Sequence, residues 1–279
     1  MITKLYCLEI KETARIAKVI YPLMVLVTAA AALLSLLRIP ILTNISTVIS
    51  IMMLIFGLSF MLIQTVINDY HNFQGKRGYL FRSIPAKSSE FLLSRLAYYL
   101  TYFLASIIIF VLLLITILEI TSEAPVFQLV KLFLSQGVFA SPWGVGFSLY
   151  LFFTLVVSAI ALIFAITVGS EARFHRFGAG GPVLVYFIYY LVGQFLSLAS
   201  MFFIPLGVKI SFHPGTDSIT RIELVTEGMF QYFLDTIRLT GDPSQTIIGL
   251  GFIFVQLLLA FVMVVLTYRS FDKKFSLKS

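Results

Sequence analysis

Few residues in this chain are of types that do covalent or metal chemistry, and their spacing keeps them apart. The three histidines are His71, His175 and His213. Cys7 is the lone cysteine, and one thiol forms neither an internal disulfide nor a multi-cysteine metal centre. No HExxH, GxSxG or Cys–His spacing occurs, so no catalytic residue and no metal ligand is assigned. Ala86-Lys87-Ser88 is similar to the tail of a phosphate-binding P-loop, but the glycine before the lysine and the one five residues earlier are missing. The chain is therefore not expected to bind ATP in that manner, and no cofactor is expected on it. Gly178-Ala179-Gly180-Gly181-Pro182 reads as a flexible turn opening an apolar stretch. The remaining polar groups of interest are amides and hydroxyls inside apolar stretches: Gln64, Gln194, Gln256, Thr65, Ser158, Ser197 and Ser200. Two readings stand for them, bonding between neighbouring helices or the lining of a path, and Gln64, Gln194 and Gln256 are the path candidates.

The elements that must position these groups follow from composition. Hydrophobic residues make up 59% of the 279 residues and charged ones 12%, with mean hydropathy +0.99. That is too little charge for a water-facing surface, which excludes a soluble globular enzyme. The 28 Phe exclude disorder, and the continuous apolar runs disfavour a β-barrel. The fold class is an all-α membrane protein. Six stretches are long and apolar enough to span: 19–37, 45–67, 96–118, 145–168, 182–208 and 246–267, together a single transmembrane domain over 19–267. None contains Lys, Arg, Asp or Glu. With the N-terminus inside, 15 Lys and Arg fall on the inner side and 5 on the outer, which predicts N-in, C-in topology and a cytoplasmic tail over 268–279. On this topology His71 and His175 lie inside and His213 outside, so they form no common site. The net charge of +7 reports topology and contact with anionic headgroups of the bilayer, not nucleic-acid binding. The expected location is a bacterial cell membrane.

Residues 1–18 read as a cytoplasmic amphipathic helix. Lys4, Lys11, Arg15 and Lys18 fall on one stripe, with Ile2, Tyr6, Ile10 and Ala17 opposite. That favours a helix lying on the membrane surface over a solvated helix end. The longest inner connection, 68–95, combines Tyr70, Phe73, Tyr79 and Phe81 with a basic cluster, which suits docking onto another protein; a solvated basic loop is the alternative. Ser88 and Ser89 are N-cap candidates for the helix that follows. On the outer side, Ile222, Val225, Met229, Phe233 and Ile237 have helical spacing. This predicts an outer amphipathic or re-entrant helix over 221–239, before the last span. A shorter apolar patch, VFQLVKLFL, lies within 121–143, and Trp143 reads as an interface anchor.

This pattern resembles the membrane (permease) subunit of an ABC-2-type ABC transporter, over nearly the whole chain. The telling stretch is Tyr70 to Pro85, centred on Gly78-Tyr79-Leu80-Phe81-Arg82-Ser83-Ile84-Pro85, with Ile84 where the family usually has leucine. The resemblance implies a coupling element that seats on a separate ATPase subunit carrying ATP and Mg, through Phe73, Gly78, Tyr79, Phe81, Arg82 and Pro85. His175 and Arg176 are secondary contacts in the shorter 169–181 connection. It also implies a second copy or a related permease chain. The function expected is ATP-driven export of an amphipathic or hydrophobic substrate such as a peptide, lipid or drug, without enzymatic activity of the chain itself. Two other classes compete: a polytopic membrane enzyme or assembly factor, for which no cluster of catalytic groups is found, and an ion-coupled carrier, against which the uncharged spans count.

Overall fold

The computed structural model describes residues 2–37, 39–73, 87–121, 125–135, 141–213, 219–238 and 245–273. The chain divides into two compact units, 1–159 and 160–279. It is mostly helical, and six helices are long and apolar enough to cross a membrane. In a bilayer the backbone must satisfy its own hydrogen bonds, which continuous Leu, Ile, Val and Phe stretches do as helices.

Three helices of 34 residues build the first unit: α1 (Ile2–Ser35), α2 (Pro40–Phe73) and α3 (Ser88–Thr121). Each pair of them is in contact. A helix of this length runs about 51 Å, whereas a hydrocarbon core is about 30 Å thick. Each helix therefore extends well beyond what a span needs. Pro40 starts α2 where its missing N–H costs nothing. Glu90 starts α3 by accepting the Lys87 N–H at 3.1 Å, which makes Lys87, one residue before Ser88, the cap position. Gly57 of α2 faces Met24 of α1, where an added Cβ would sit 2.7 Å from the Met24 side chain. The short α4 (Val126–Ser135) follows, with the Phe127 N–H donating to Glu119 of α3. Then α5 (Pro142–Gly169), capped by Ser141 Oγ on the Gly144 N–H, runs from the first unit into the second.

The second unit continues through a 3-10 turn (Ala172–Phe177) to α6 (Gly180–Phe203). Next come β1 (Gly207–Phe212), β2 (Ile219–Val225), α7 (Met229–Ile237), β3 (Gln245–Gly249) and α8 (Gly251–Lys273). The strands form an antiparallel sheet in the order β2-β1-β3, pairing Gly207 with Val225 and with Gly249. It is seated at the end of α6: a Cβ on Gly249 or Gly251 would run into the carbonyls of Met201 or Ser200. Phe203 stacks on Phe230, and Phe202 meets Phe233 edge-on, which holds α7 against α6.

Several expectations change. The segment 1–18 and the span 19–37 are one helix, α1, which passes through Pro22. Its buried line is Leu5, Glu9, Thr13 and Ala17, not Ile2, Tyr6, Ile10 and Ala17, because the i, i+4 line carries the groups that meet α2 and α3. The fold is not purely α, since a sheet occupies part of the chain between the last two long helices. The span expected over 182–208 ends at Phe203, and that over 246–267 begins at Gly251. The helix expected over 221–239 is a strand to Val225 and a helix from Met229. β-branched Ile219, Thr220, Ile222 and Val225 favour the strand, and Gly228 in extended conformation starts the helix afresh. The Gly178–Pro182 stretch divides: Gly178, with φ +53°, turns the chain at an exposed position, whereas Gly181 is packed where α6 begins and a side chain there would strike the Gly169 carbonyl.

Candidate functional site

At one end of the first unit, where α1 begins, α2 ends and α3 begins, a polar cluster is sealed inside the bundle. Asp69 of α2 and Arg95 of α3 form its centre, both essentially inaccessible to solvent. Arg95 donates from Nε to Asp69 Oδ1 at 2.9 Å and from a terminal nitrogen to Oδ2 at 2.6 Å, a bidentate pair. Tyr99, one turn further along α3, donates its hydroxyl to Asp69 Oδ2 at 2.7 Å. The guanidinium lies 4.3 Å from the centroid of the Phe73 ring, which meets Phe91 edge-on. Four interactions thus tie the last turn of α2 to the first turns of α3, at the two points where the chain leaves for residues 74–86 and returns.

A ladder of hydrogen bonds continues along the bundle. Asn68 donates to Thr13 at 3.0 Å, Thr13 and Tyr98 share a hydrogen bond, and Gln64 donates to Asn68 at 3.1 Å. Tyr102 donates to the Ile10 carbonyl, Tyr6 meets Thr101, and Tyr21 meets Ser106. Polar groups that are costly in an apolar interior therefore serve as glue between helices. Three buried groups of the first unit stay outside the ladder, Ser50 Oγ being one of them. Both carboxylate oxygens of Glu9 and the amide oxygen of Asn72 have no hydrogen-bond partner among the described residues.

The predicted site residues divide. Phe73 is buried beneath Arg95 and is not an exposed docking aromatic, because a cation shielded from water needs its ring face. Gly78, Tyr79, Phe81, Arg82 and Pro85 lie outside the described residues. His175 and Arg176 fall in the 3-10 turn, with Arg176 exposed, beside an ion pair between Arg173 and the buried Glu171. Gln64 belongs to the ladder of the first unit. Gln194 and Gln256 come together in the second, lining a cleft of about 330 Å³ between α6 and α8 with Tyr189, Tyr190, Ser197 and Phe252. The Gln256 amide oxygen is buried there without a hydrogen-bond partner among the described residues.

Sequence reasoning missed Glu9, Asp69, Arg95 and Tyr99, treating Asp69 and Arg95 as residues of a connection. A signal was present: opposite charges stand at the two mouths of one helical hairpin, just past 45–67 and just before 96–118. The uncharged spans are real, but the helices outrun them, and the charges sit in the overhang.

Fold and site together define a multi-pass helical integral membrane protein whose first bundle has a buried ion-paired base. The chain matches no family model, no curated protein and no solved structure.

Proposed function

We propose that this chain is the permease subunit of an ATP-driven exporter of the ABC-2 type, working with a separate ATPase subunit and a second copy or related permease chain. The substrate class is amphipathic or hydrophobic. The observation that carries this reading is the Asp69–Arg95–Tyr99 clamp. A cytoplasmic motor acting on residues 74–86 would push on two helices locked together at their ends, so the push would move α2 and α3 as one body. On the topology set by the basic residues, this end faces the cytoplasm. The uncharged, amide- and tyrosine-lined cleft of Gln194 and Gln256 suits an amphipathic cargo.

The test is copurification and coupling. The isolated chain is expected to hydrolyse no ATP, and a P-loop ATPase is expected to copurify. Phe81→Ala with Arg82→Glu is expected to weaken assembly roughly 30-fold, as loss of an anchor worth about 2 kcal/mol does, while membrane insertion persists. Wild-type assembly and substrate-stimulated hydrolysis in the double variant would remove the coupling role of this segment. A second reading, an ion-coupled carrier, gains from the buried ionisable groups Glu9, Asp69 and Arg95. Transport driven by an ion gradient in proteoliposomes free of ATPase would select it.

A further inference from the structure

Among the described residues, the buried base of the first unit contains two carboxylates and one guanidinium. Arg95 spends its bidentate pair on Asp69, and Glu9 is left 1% exposed with neither oxygen hydrogen-bonded among the described residues. The second orphan, Asn72 Oδ1, is on a different helix and is equally buried. The helices α1 and α2 run antiparallel, and two contacts fix their register: Met24 against Gly57, and Thr13 with Asn68. One further turn along each helix from Thr13 and Asn68 lie Glu9 and Asn72, so the same register sets them opposite each other.

This register brings together three acceptor oxygens with no donor among the described residues, and the Glu9 carboxylate has no ion-pair partner among them. A single hydrogen added to Glu9 removes the uncompensated charge and gives Asn72 Oδ1 a donor, leaving a neutral carbonyl oxygen in place of a bare carboxylate. We propose that Glu9 is a buried proton-binding site: it holds a proton as a carboxylic acid, donates it to Asn72 Oδ1, and so closes the base of α1 onto α2. Among the described residues the charged and titratable neighbours are Asp69 from α2, with Arg95 and Tyr98 from α3; His71 of α2 is exposed. Protonation leaves the cluster neutral, as Asp69 and Arg95 cancel. Loss of the proton leaves a bare carboxylate near Asp69 and three acceptors without a donor, which loosens the base. A hard metal cation fits less well, because it takes roughly six or more oxygens and three are unclaimed. The site holds with either energy source, an ATPase or an ion gradient.

Infrared spectroscopy of the whole chain in lipid nanodiscs at neutral pH tests it. A carbonyl band of a protonated carboxylic acid is expected in the wild type, shifting with ¹³C-labelled glutamate and disappearing in Glu9→Gln. Asn72→Ala is expected to keep the band and raise its frequency, and this variant serves where Glu9→Gln does not fold. An unfolded glutamate titrates at about 4.3, so with Glu9 protonated in the folded chain folding takes up a proton at neutral pH, and stability falls as pH rises. The ratio of folded to unfolded protein is expected to drop up to about tenfold per pH unit in the wild type, and this proton's share of the drop is expected to vanish in Glu9→Gln. Absence of the band, or its persistence in Glu9→Gln, overturns the proposal. So does an unchanged pH slope in that variant, or stabilisation that depends on sodium or calcium.

Discussion

Arg95 and Asp69 illustrate what a buried charge demands of its neighbours. Removing two charges from water costs several kcal/mol per ion, and the attraction between them offsets this only with good geometry and further hydrogen bonds. Here the fork of Arg95 matches the Asp69 carboxylate, Tyr99 takes another lone pair, and Phe73 covers the guanidinium face. Removing one partner leaves the other charged and dry. Arg95→Ala is therefore expected to destabilise the first unit by about 3–5 kcal/mol, whereas Arg95→Met with Asp69→Leu recovers much of the loss. Thermal unfolding in detergent measures both. A wild-type melting temperature for Arg95→Ala would mean that water reaches the pair and that the clamp adds no stability. Tyr99→Phe removes a hydrogen bond to a charged group and is expected to cost about 1.5–3 kcal/mol.

At the scale of elements, α1 and α2 approach closely because Gly57 has no side chain to hold them apart. Gly57→Val is expected to force Met24 aside and cost about 1–3 kcal/mol, with Met24→Ala in the same chain restoring part of it. Equal melting temperatures for Gly57→Val and the wild type would show that this contact is loose. The long helices were legible in the sequence because their hydrophobicity is continuous over more than a bilayer thickness. Their overhangs were not. Once a helix leaves the hydrocarbon it takes polar residues, and Asp69 and Arg95 then look like any charges bordering a span. The sheet was hidden for another reason: Ile222 and Val225 satisfy a helical spacing with Met229, Phe233 and Ile237 as well as a β pattern. Tertiary pairing with Gly207–Phe212 decides between them. Gln194 and Gln256 were legible as amides in apolar stretches, and the cleft they share needed α6 and α8 side by side.

At the scale of the molecule, orientation in the bilayer decides what the buried base can do. A clamp between α2 and α3 can transmit work from a cytoplasmic motor if it lies on the inner side, and a proton site there samples cytoplasmic pH. Basic residues are retained on the cytoplasmic face, and 15 of the 20 fall on the side shared by the N-terminus, residues 68–95 and the C-terminus, which favours that side as the inner one. Four of those fifteen, Lys4, Lys11, Arg15 and Lys18, lie exposed on α1 while Glu9 is buried. Cys7 is exposed and must be replaced before labelling. In Cys7→Ser, a cysteine at Thr216 is then expected to react with an impermeant thiol reagent added to sealed cells, and one at Lys87 to react after the membrane is opened. The opposite pattern would invert the molecule. It would place Asp69, Arg95 and Glu9 on the outer face, beyond the reach of any cytoplasmic ATPase, and leave the ion-coupled reading as the one that fits the buried charges.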